Sequence, residues 1–331
     1  MPDPLVVIVM RGFREALLAR ELAQMQQMAK HWLGVERALD AQIAALAQDL
    51  ADEKAAGKVV SIWKVQRMQR YQLLMSQARG EMAQYAQWSL RTITGEQAAY
   101  AQLGIDHAIA SIQASYPGRI GPFFNRLPVD AIENMVGLVG DGSPLLSLLR
   151  DTWGDGAAGM TRALVNGTAL GWNPRRTAKA MTDGLGSTLQ RQLTIARSEQ
   201  LRVYRTSSQR QYEASGVVHR WRRICAHDDR VCAGCLAAEG SEYPTSHTFE
   251  SHPNCRCSMI PMPDGAPAPT WLAAGNWLAT QPEETQRAIL GAGRFDIWKD
   301  GRVPFDRFAK TTRDATWGGA IVPATLQDLM Q

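Results

Sequence analysis

Between Arg11 and about Leu50, apolar residues recur at heptad spacing: Leu18, Leu22, Met25, Ala29, Trp32, Leu39, Ile43, Leu46 and Leu50, interrupted only by Glu36. A seam sustained over about five heptads requires a long helix, since only that period keeps these positions on one side, and a second long helix to cover it. Gly34, near its middle, costs about 1 kcal/mol relative to Ala. A second seam runs through Met68, Tyr71, Met75, Ala78, Met82 and Tyr85, and Gly57 lies between the two in the polar segment Asp52 to Lys58. A helical hairpin is the simplest arrangement of these parts. The methionines and aromatics are read as packing residues. The many glutamines, Gln24, Gln42, Gln77 and Gln84 among them, leave the outer faces polar but weakly charged. Such a surface suits contact with other subunits or with DNA.

Beyond the hairpin, residues 118–158 are richer in Gly and Pro (Pro122, Pro128, Gly137, Gly140, Gly142, Pro144, Gly154, Gly156), the composition of a connector with short helices. Helical character then returns. Asn173 and Pro174 read as N-cap and first helical residue, and a long helix is expected from about Gly186 to Ala214, bounded by Gly216. Val217, Val218, Trp221 and Ile224 suggest a strand. A proline-rich stretch, Pro261 to Pro269, separates the cysteine segment from a final region holding Trp271, Trp277, Trp298 and Trp317. The expected fold is mainly α, with a long N-terminal helical hairpin and a small α+β, Cys/His-rich C-terminal lobe. Its divisions fall at residues 1–117, 118–158 and 159–331.

With 331 residues, 45% of them apolar, the chain can bury more than one core. Its 36 Lys and Arg nearly balance 32 Asp and Glu, a net charge of +4. That balance permits contact with nucleic acid without arguing for it. The apolar run from Leu5 to Met10 falls far short of the roughly 20 residues that span a bilayer, and no cleavage site follows it. A cytosolic origin and no membrane partner are expected.

The five cysteines all lie between Cys225 and Cys257. In a cytosolic chain such clustering points to metal before disulfides. Cys232-Ala-Gly-Cys235 precedes His252-Pro-Asn-Cys255-Arg-Cys257. Two thiolates two residues apart can converge on one tetrahedral ion, and Gly234 eases the turn. Cys232, Cys235, His252, Cys255 and Cys257 offer five ligands for four places, with Cys225 as a sixth option, so spacing leaves the set open. The expectation is one structural zinc; the competing reading is a cysteine pair or reduced thiols packed in a small core. A zinc deaminase would carry His-x-Glu before its Cys pair. Here the preceding His227 belongs instead to His227-Asp228-Asp229. His219, Arg220, Arg222 and Arg223 form the most basic run, interleaved with Trp221. On a strand His219, Trp221 and Arg223 share one face and Arg220 and Arg222 the other. Arg220, Arg222 and Arg223 are candidate nucleic-acid contacts, and an ion-paired strand edge is the competing reading.

The run Ala196-Arg197-Ser198-Glu199, the Trp221 strand, Asp229-Arg230-Val231-Cys232-Ala-Gly-Cys235, Gly240 and His252-Pro-Asn-Cys255-Arg-Cys257 together resemble the phage Mu protein F-like head-morphogenesis family. The similarity in order and spacing covers roughly Leu164 to Pro263, and Ile289-Leu290-Gly291 with Trp298-x-x-Gly301 resembles the end of the same domain. Ser198 stands where the family more often has Thr, and Asp228-Asp229-Arg230 carries one additional acid. The resemblance implies a virion component of a tailed phage, a minor capsid protein at the portal vertex of the head, made in the host cytoplasm. It implies the portal protein and other capsid or scaffold subunits as partners, and contact with packaged DNA. It implies no catalytic residues; Arg197, Glu199, Trp221 and Asp229 are its structural motif residues. Arg197 and Glu199, two apart on a helix, point in different directions and are expected to act as ion-pair anchors docking that helix onto the cysteine lobe. The alternative function is a zinc-containing DNA-binding protein. An enzyme is disfavoured because no nucleophile, base and orienting group form a recognisable arrangement.

Overall fold

The computed structural model describes residues 3–118, 125–127, 145–225, 227–314 and 318–331. The connector residues Pro122, Pro128, Gly137, Gly140, Gly142 and Pro144, and Trp317 near the C-terminus, lie outside them. Helices α1 (Leu5–Ala55), α2 (Ile62–Arg67), α3 (Gln69–Ser115), α4 (Leu145–Asp151), α5 (Trp153–Leu170) and α6 (Pro174–Ser215) precede the first strand. There follow β1 (Val218–Ile224), α7 (Ala233–Ala237), β2 (Glu242–Pro244), β3 (Ser258–Pro263), α8 (Ala274–Thr280), α9 (Glu283–Leu290) and α10 (Ala292–Asp300). A 3-10 turn, Phe305–Phe308, leads into β4 (Ala309–Asp314), β5 (Gly318–Pro323) and α11 (Leu326–Leu329). The fold is mainly α with long N-terminal helices and a small strand-containing, Cys/His-rich C-terminal region. No helix among the described residues is long and apolar enough to cross a membrane. Two compact units emerge: residues 19–95 with 143–197, and residues 1–18, 96–142 and 198–331.

The unit of residues 19–95 and 143–197 is a helical assembly built on the hairpin. Trp32, Leu39, Ile43, Leu46 and Leu50 of α1 pack with Leu74, Ala78, Met82 and Tyr85 of α3, with Met160 and Leu164 of α5 and Met181 and Leu185 of α6. The Tyr85 hydroxyl donates to the Met28 carbonyl at 2.9 Å, tying the two arms. One line of the expected seam, Met25, Trp32, Leu39 and Leu46, is buried as read. The other is one residue out of phase in its first half: Leu22 is 57% exposed while Glu21, Met28 and Val35 are buried. The apolar pattern misleads there because Glu21, a buried polar residue, is paired with Arg197. Glu36 does not break the packing; it stands beside the buried line and accepts from Trp32 Nε1 at 2.9 Å.

Helix α6 begins earlier than the sequence suggests. Asn173 does cap it, its Oδ1 accepting the Arg176 N–H at 2.8 Å, but the helix then runs unbroken to Ser215. Gly184 permits close approach: a Cβ there would sit 2.6 Å from the Gly159 carbonyl carbon on α5. A buried polar network joins α6 to α3 and to the end of α4. Ser89 Oγ donates to Gln192 Oε1 at 3.1 Å, and Gln192 Nε2 donates to the Leu149 carbonyl and Thr152 Oγ1, each at 3.1 Å.

In the other unit, β1 is the central strand of an antiparallel sheet of order β2-β1-β3. Trp221 lies opposite Tyr243 on one side and Pro261 on the other. The proline-rich stretch expected to be a separator thus supplies β3, tolerable because an edge strand can spare donors that a central strand cannot. A register shift between Val218 and Arg220 turns His219 outward, so it does not share the buried face of Trp221 and Arg223 as simple alternation predicts. Trp221 is enclosed by Tyr243 and Phe249, with ring centroids 4.5 and 5.4 Å away. Ala108, Ile112 and Tyr212 from α3 and α6 join this core, as do Leu278, Leu290, Phe295 and Phe308. Hairpin β4–β5 closes over α7 at Gly234, where a Cβ would come 2.4 Å from the Val322 carbonyl carbon. Gly234 therefore serves helix-to-strand contact and not the thiol turn that suggested it.

Candidate metal centre

The thiols are positioned by short local structures. Cys232 is the N-cap of α7 in an extended conformation, and its Sγ accepts the Cys235 N–H at 3.3 Å. That arrangement folds the two sulfurs to the same side at the helix entrance. Asn254 adopts a left-handed conformation, φ 65°, turning the chain so that His252 and Cys255 face the Cys232 turn. The Cys255 N–H closes this turn on the His252 carbonyl at 3.0 Å, and the Asn254 N–H donates to Ser198 Oγ on α6 at 3.2 Å.

His252 Nε2 lies 3.2 Å from Cys232 Sγ and 3.3 Å from Cys235 Sγ, and Cys235 Sγ lies 3.8 Å from Cys255 Sγ. With Zn–S near 2.3 Å and Zn–N near 2.0–2.1 Å, a tetrahedral ion separates its ligands by about 3.8 Å between sulfurs and about 3.5 Å between sulfur and nitrogen. The observed spacings fit. Ligand atoms group as Cys232, Cys235 and His252, and as Cys235, Cys255 and Cys257, with Cys235 common to both. A void of about 20 Å³ is lined by all five of these residues; roughly 10–15 Å³ suffices for one water-sized sphere. The Cys/His cluster could therefore hold one metal ion. A cleft of about 690 Å³, lined by Arg202, Thr206, Gln209, Thr311 and Arg313 among others, contains none of these thiols.

Charge around the thiols favours thiolate at two of them, Cys232 and Cys255. Hydrogen bonds with Cys232, Cys255 and Cys257 push the Cys235 thiol up, and at Cys257 the lowering hydrogen bond with Cys235 is outweighed by the one with Cys255 and by burial, which bring it to about 12. The Cys232 thiol is lowered to about 5 by the hydrogen bond from Cys235 and by His252. Cys255 is held well below the usual thiol range by hydrogen bonds from Cys235 and Cys257, with Arg205 and Arg223 nearby. Burial acts to lower His252, but the hydrogen bond to Cys232 and the adjacent thiolates raise it. Arg205 of α6 donates from Nε to the Cys257 carbonyl at 2.9 Å and from Nη2 to the Cys255 carbonyl at 2.5 Å. Cys225 is different. Burial and then Glu239 push its thiol up; it donates to Glu239 Oε1 at 3.2 Å, and His227 Nε2 meets Glu239 Oε2 at 2.8 Å. These three residues form a separate group, so Cys225 is not an alternative member of the five-residue set.

Residues 158–260 match the family described as phage Mu protein F like protein. This stretch is similar to that family. The family is a structural one, of phage head-morphogenesis proteins. The matched stretch spans Arg197 to Glu199, the Trp221 strand and both halves of the cysteine cluster, and stops short of Ile289 to Gly301. No curated protein and no solved structure matches the chain.

Within the Mu F-like segment, the motif residues take distinct places. Trp221 is wholly buried. Arg197 pairs with Glu21 of α1, and Glu199 pairs with Arg202 one turn along its own helix at 2.8 Å. Ser198 and Arg205 tie α6 to the cysteine loop. Sequence reasoning missed Arg205, although its spacing of seven from Ser198 puts both on one helix face. Asp229 is exposed; the additional acid, Asp228, accepts from the Arg230 N–H at 3.1 Å and pairs with Arg14 at 2.5 Å. Of the basic run, Arg220 and Arg222 both pair with Glu242, and Arg222 also donates to the Pro269 carbonyl at 2.9 Å. Arg223 has no exposed surface and faces cysteines, so it presents nothing to a phosphate.

Proposed function

We propose that this chain is a minor capsid protein of a tailed phage, built into the head at the portal vertex and acting in procapsid assembly. The observation that carries this reading is the Mu F-like match over residues 158–260. Its partners on this reading are the portal protein and neighbouring capsid or scaffold subunits, with packaged DNA within reach at the same vertex. The division at residues 1–117, 118–158 and 159–331 then separates a helical region for subunit contacts, a connector and the Mu F-like domain. The chain's role is structural and not catalytic. A closed set of donors around a void of about 20 Å³ suits a fold-holding ion, since catalytic zinc keeps an open position.

Four of Cys232, Cys235, His252, Cys255 and Cys257 would supply the ligands of one structural zinc, which when bound contributes folding energy to the lobe. The alternative of a DNA-binding function draws no support from the basic strand, where the exposed Arg220 and the half-buried Arg222 are already paired with Glu242. Mass analysis of purified virions, quantifying this chain against the portal subunit, tests the assignment. A few copies per particle are expected, and absence from particles and procapsids overturns it. Elemental analysis of protein purified without added metal is expected to give one zinc per chain; a value near zero with the lobe intact after chelation overturns the metal.

A further inference from the structure

We propose that Arg223 is the counter-cation of a metal centre made by Cys232, Cys235, His252 and Cys255, with Cys257 outside the ligand set. This inference rests on the structural-zinc reading and specifies the charge balance of that site.

Arg223 is 0% exposed at the centre of the lobe. Its guanidinium lies over Phe249, 4.4 Å from the ring centroid, and Nη1 donates to the Glu250 carbonyl at 2.9 Å. Nη2 stands 3.7 Å from Cys235 Sγ and 3.7 Å from Cys255 Sγ. Among the described residues no carboxylate pairs with it. A guanidinium stays charged in a protein, and an enclosed cation without an opposite charge is strongly destabilising. The negative charge facing Arg223 therefore has to reside on sulfur.

Charge counting agrees with this ligand set. A divalent ion with three thiolates and a neutral imidazole carries a net charge of about −1, which Arg223 alone cancels; a fourth thiolate would need the buried Arg205 as a second counter-charge, and that guanidinium already donates to the Cys255 and Cys257 carbonyls. The shortest contacts favour the same members, although the Cys257 sulfur also lies within 4.8 Å of those of Cys235 and Cys255. His252 is within 3.3 Å of Cys232 and Cys235, and Cys255 is 3.8 Å from Cys235. The two sulfurs addressed by Arg223, those of Cys235 and Cys255, both belong to that set. Cys257 contributes through its backbone, whose carbonyl accepts from Arg205. Arg223 is thus a positioning residue: it orients two ligands and lowers the electrostatic cost of gathering thiolates in a dry site.

The test is zinc competition against a chromogenic chelator on the full chain, with elemental analysis alongside. Wild type is expected to hold one zinc. Arg223→Gln, which keeps a donor for the Glu250 carbonyl but removes the charge, is expected to weaken zinc binding roughly 10- to 100-fold, the usual penalty for losing a partner of metal ligands. Arg223→Lys should recover most of the affinity, and Cys257→Ala should bind as wild type. In a Cys255→His background the site is neutral without help, so Arg223→Gln should cost little there, and zinc should restore its folding if the single variant fails to fold. A wild type without zinc defeats the metal reading itself. Zinc-loaded wild type with Arg223→Gln of equal affinity, the same penalty in both backgrounds, or loss of zinc in Cys257→Ala overturns the present inference.

Discussion

His107 illustrates how a single buried side chain sets a pH response. It is buried on α3, stacks on Phe13 with centroids 3.7 Å apart, and its Nδ1 lies 3.1 Å from the Tyr204 hydroxyl. Burial pushes its pKa down to about 4, whereas in the unfolded chain it is near 6.5. The unfolded state therefore takes the proton first as pH falls. Stability from this group is fully present above about pH 6.5, declines between about 6.5 and 4, and is flat below, with an expected loss of about 1–2 kcal/mol after allowance for solvent screening. Denaturant unfolding of wild type and His107→Gln at pH 7.5 and 4.5 checks this: the stability advantage of wild type should shrink at the lower pH. An unchanged advantage would mean that the imidazole does not remain neutral in the folded protein.

At the scale of elements, helix contact in the unit of residues 19–95 and 143–197 depends on residues without side chains. Gly159 and Gly184 bring α5 and α6 into backbone contact, and Gly156 leaves room for the Thr188 side chain. Gly184→Val requires the helices to separate, because its Cβ would face backbone atoms of Gly159 and Met160 at 2.6 to 2.9 Å. Overpacking of this kind typically costs about 1–3 kcal/mol. Circular dichroism with denaturant titration should show a lowered midpoint at nearly unchanged helicity, while Gly186→Val, at a position with nothing within 4 Å, should be nearly silent. Equal midpoints for the two variants would show that the close approach carries no weight. Leu39, 0% exposed, belongs to the same packed core, so a charge there acts on folding of the hairpin and not on a surface contact.

For the whole molecule, the two compact units rest on different physics. One is held by apolar helix packing; the other joins helix ends to a small lobe whose sulfur atoms lie side by side. Zinc removal is therefore expected to act unevenly. Hydrogen exchange before and after chelation should show lost protection in β1, α7 and β3, and little change across Trp32 to Leu50. Cys232→Ser with Cys235→Ser should reproduce that pattern and lower recruitment to procapsids through misfolding of the lobe. Uniform loss across both units would show instead that the lobe's integrity governs the entire fold, and unchanged protection would remove the metal from the account.

Much of this architecture is written in local pattern. The seams of Met25 to Leu50 and Met68 to Tyr85, the Asn173 cap, the Trp221 strand and the paired Cys/His clusters could be read directly, because period, capping chemistry and ligand spacing are short-range properties. Other features depend on which distant group fills a buried site. Glu21 is buried because Arg197 meets it, which shifts the first half of the seam by one residue. Gly184 and Gly234 look like breaks or turns until Gly159 and Val322 are seen against them. Cys225 belongs to Glu239 and His227, and Arg205 to the carbonyls of Cys255 and Cys257. Local pattern sufficed for the long helices, the Trp221 strand and the chemistry gathered near Cys232. That Arg223 faces sulfur and not solvent follows from tertiary contacts, because the cost of enclosing a charge is set by neighbours brought together from far along the chain.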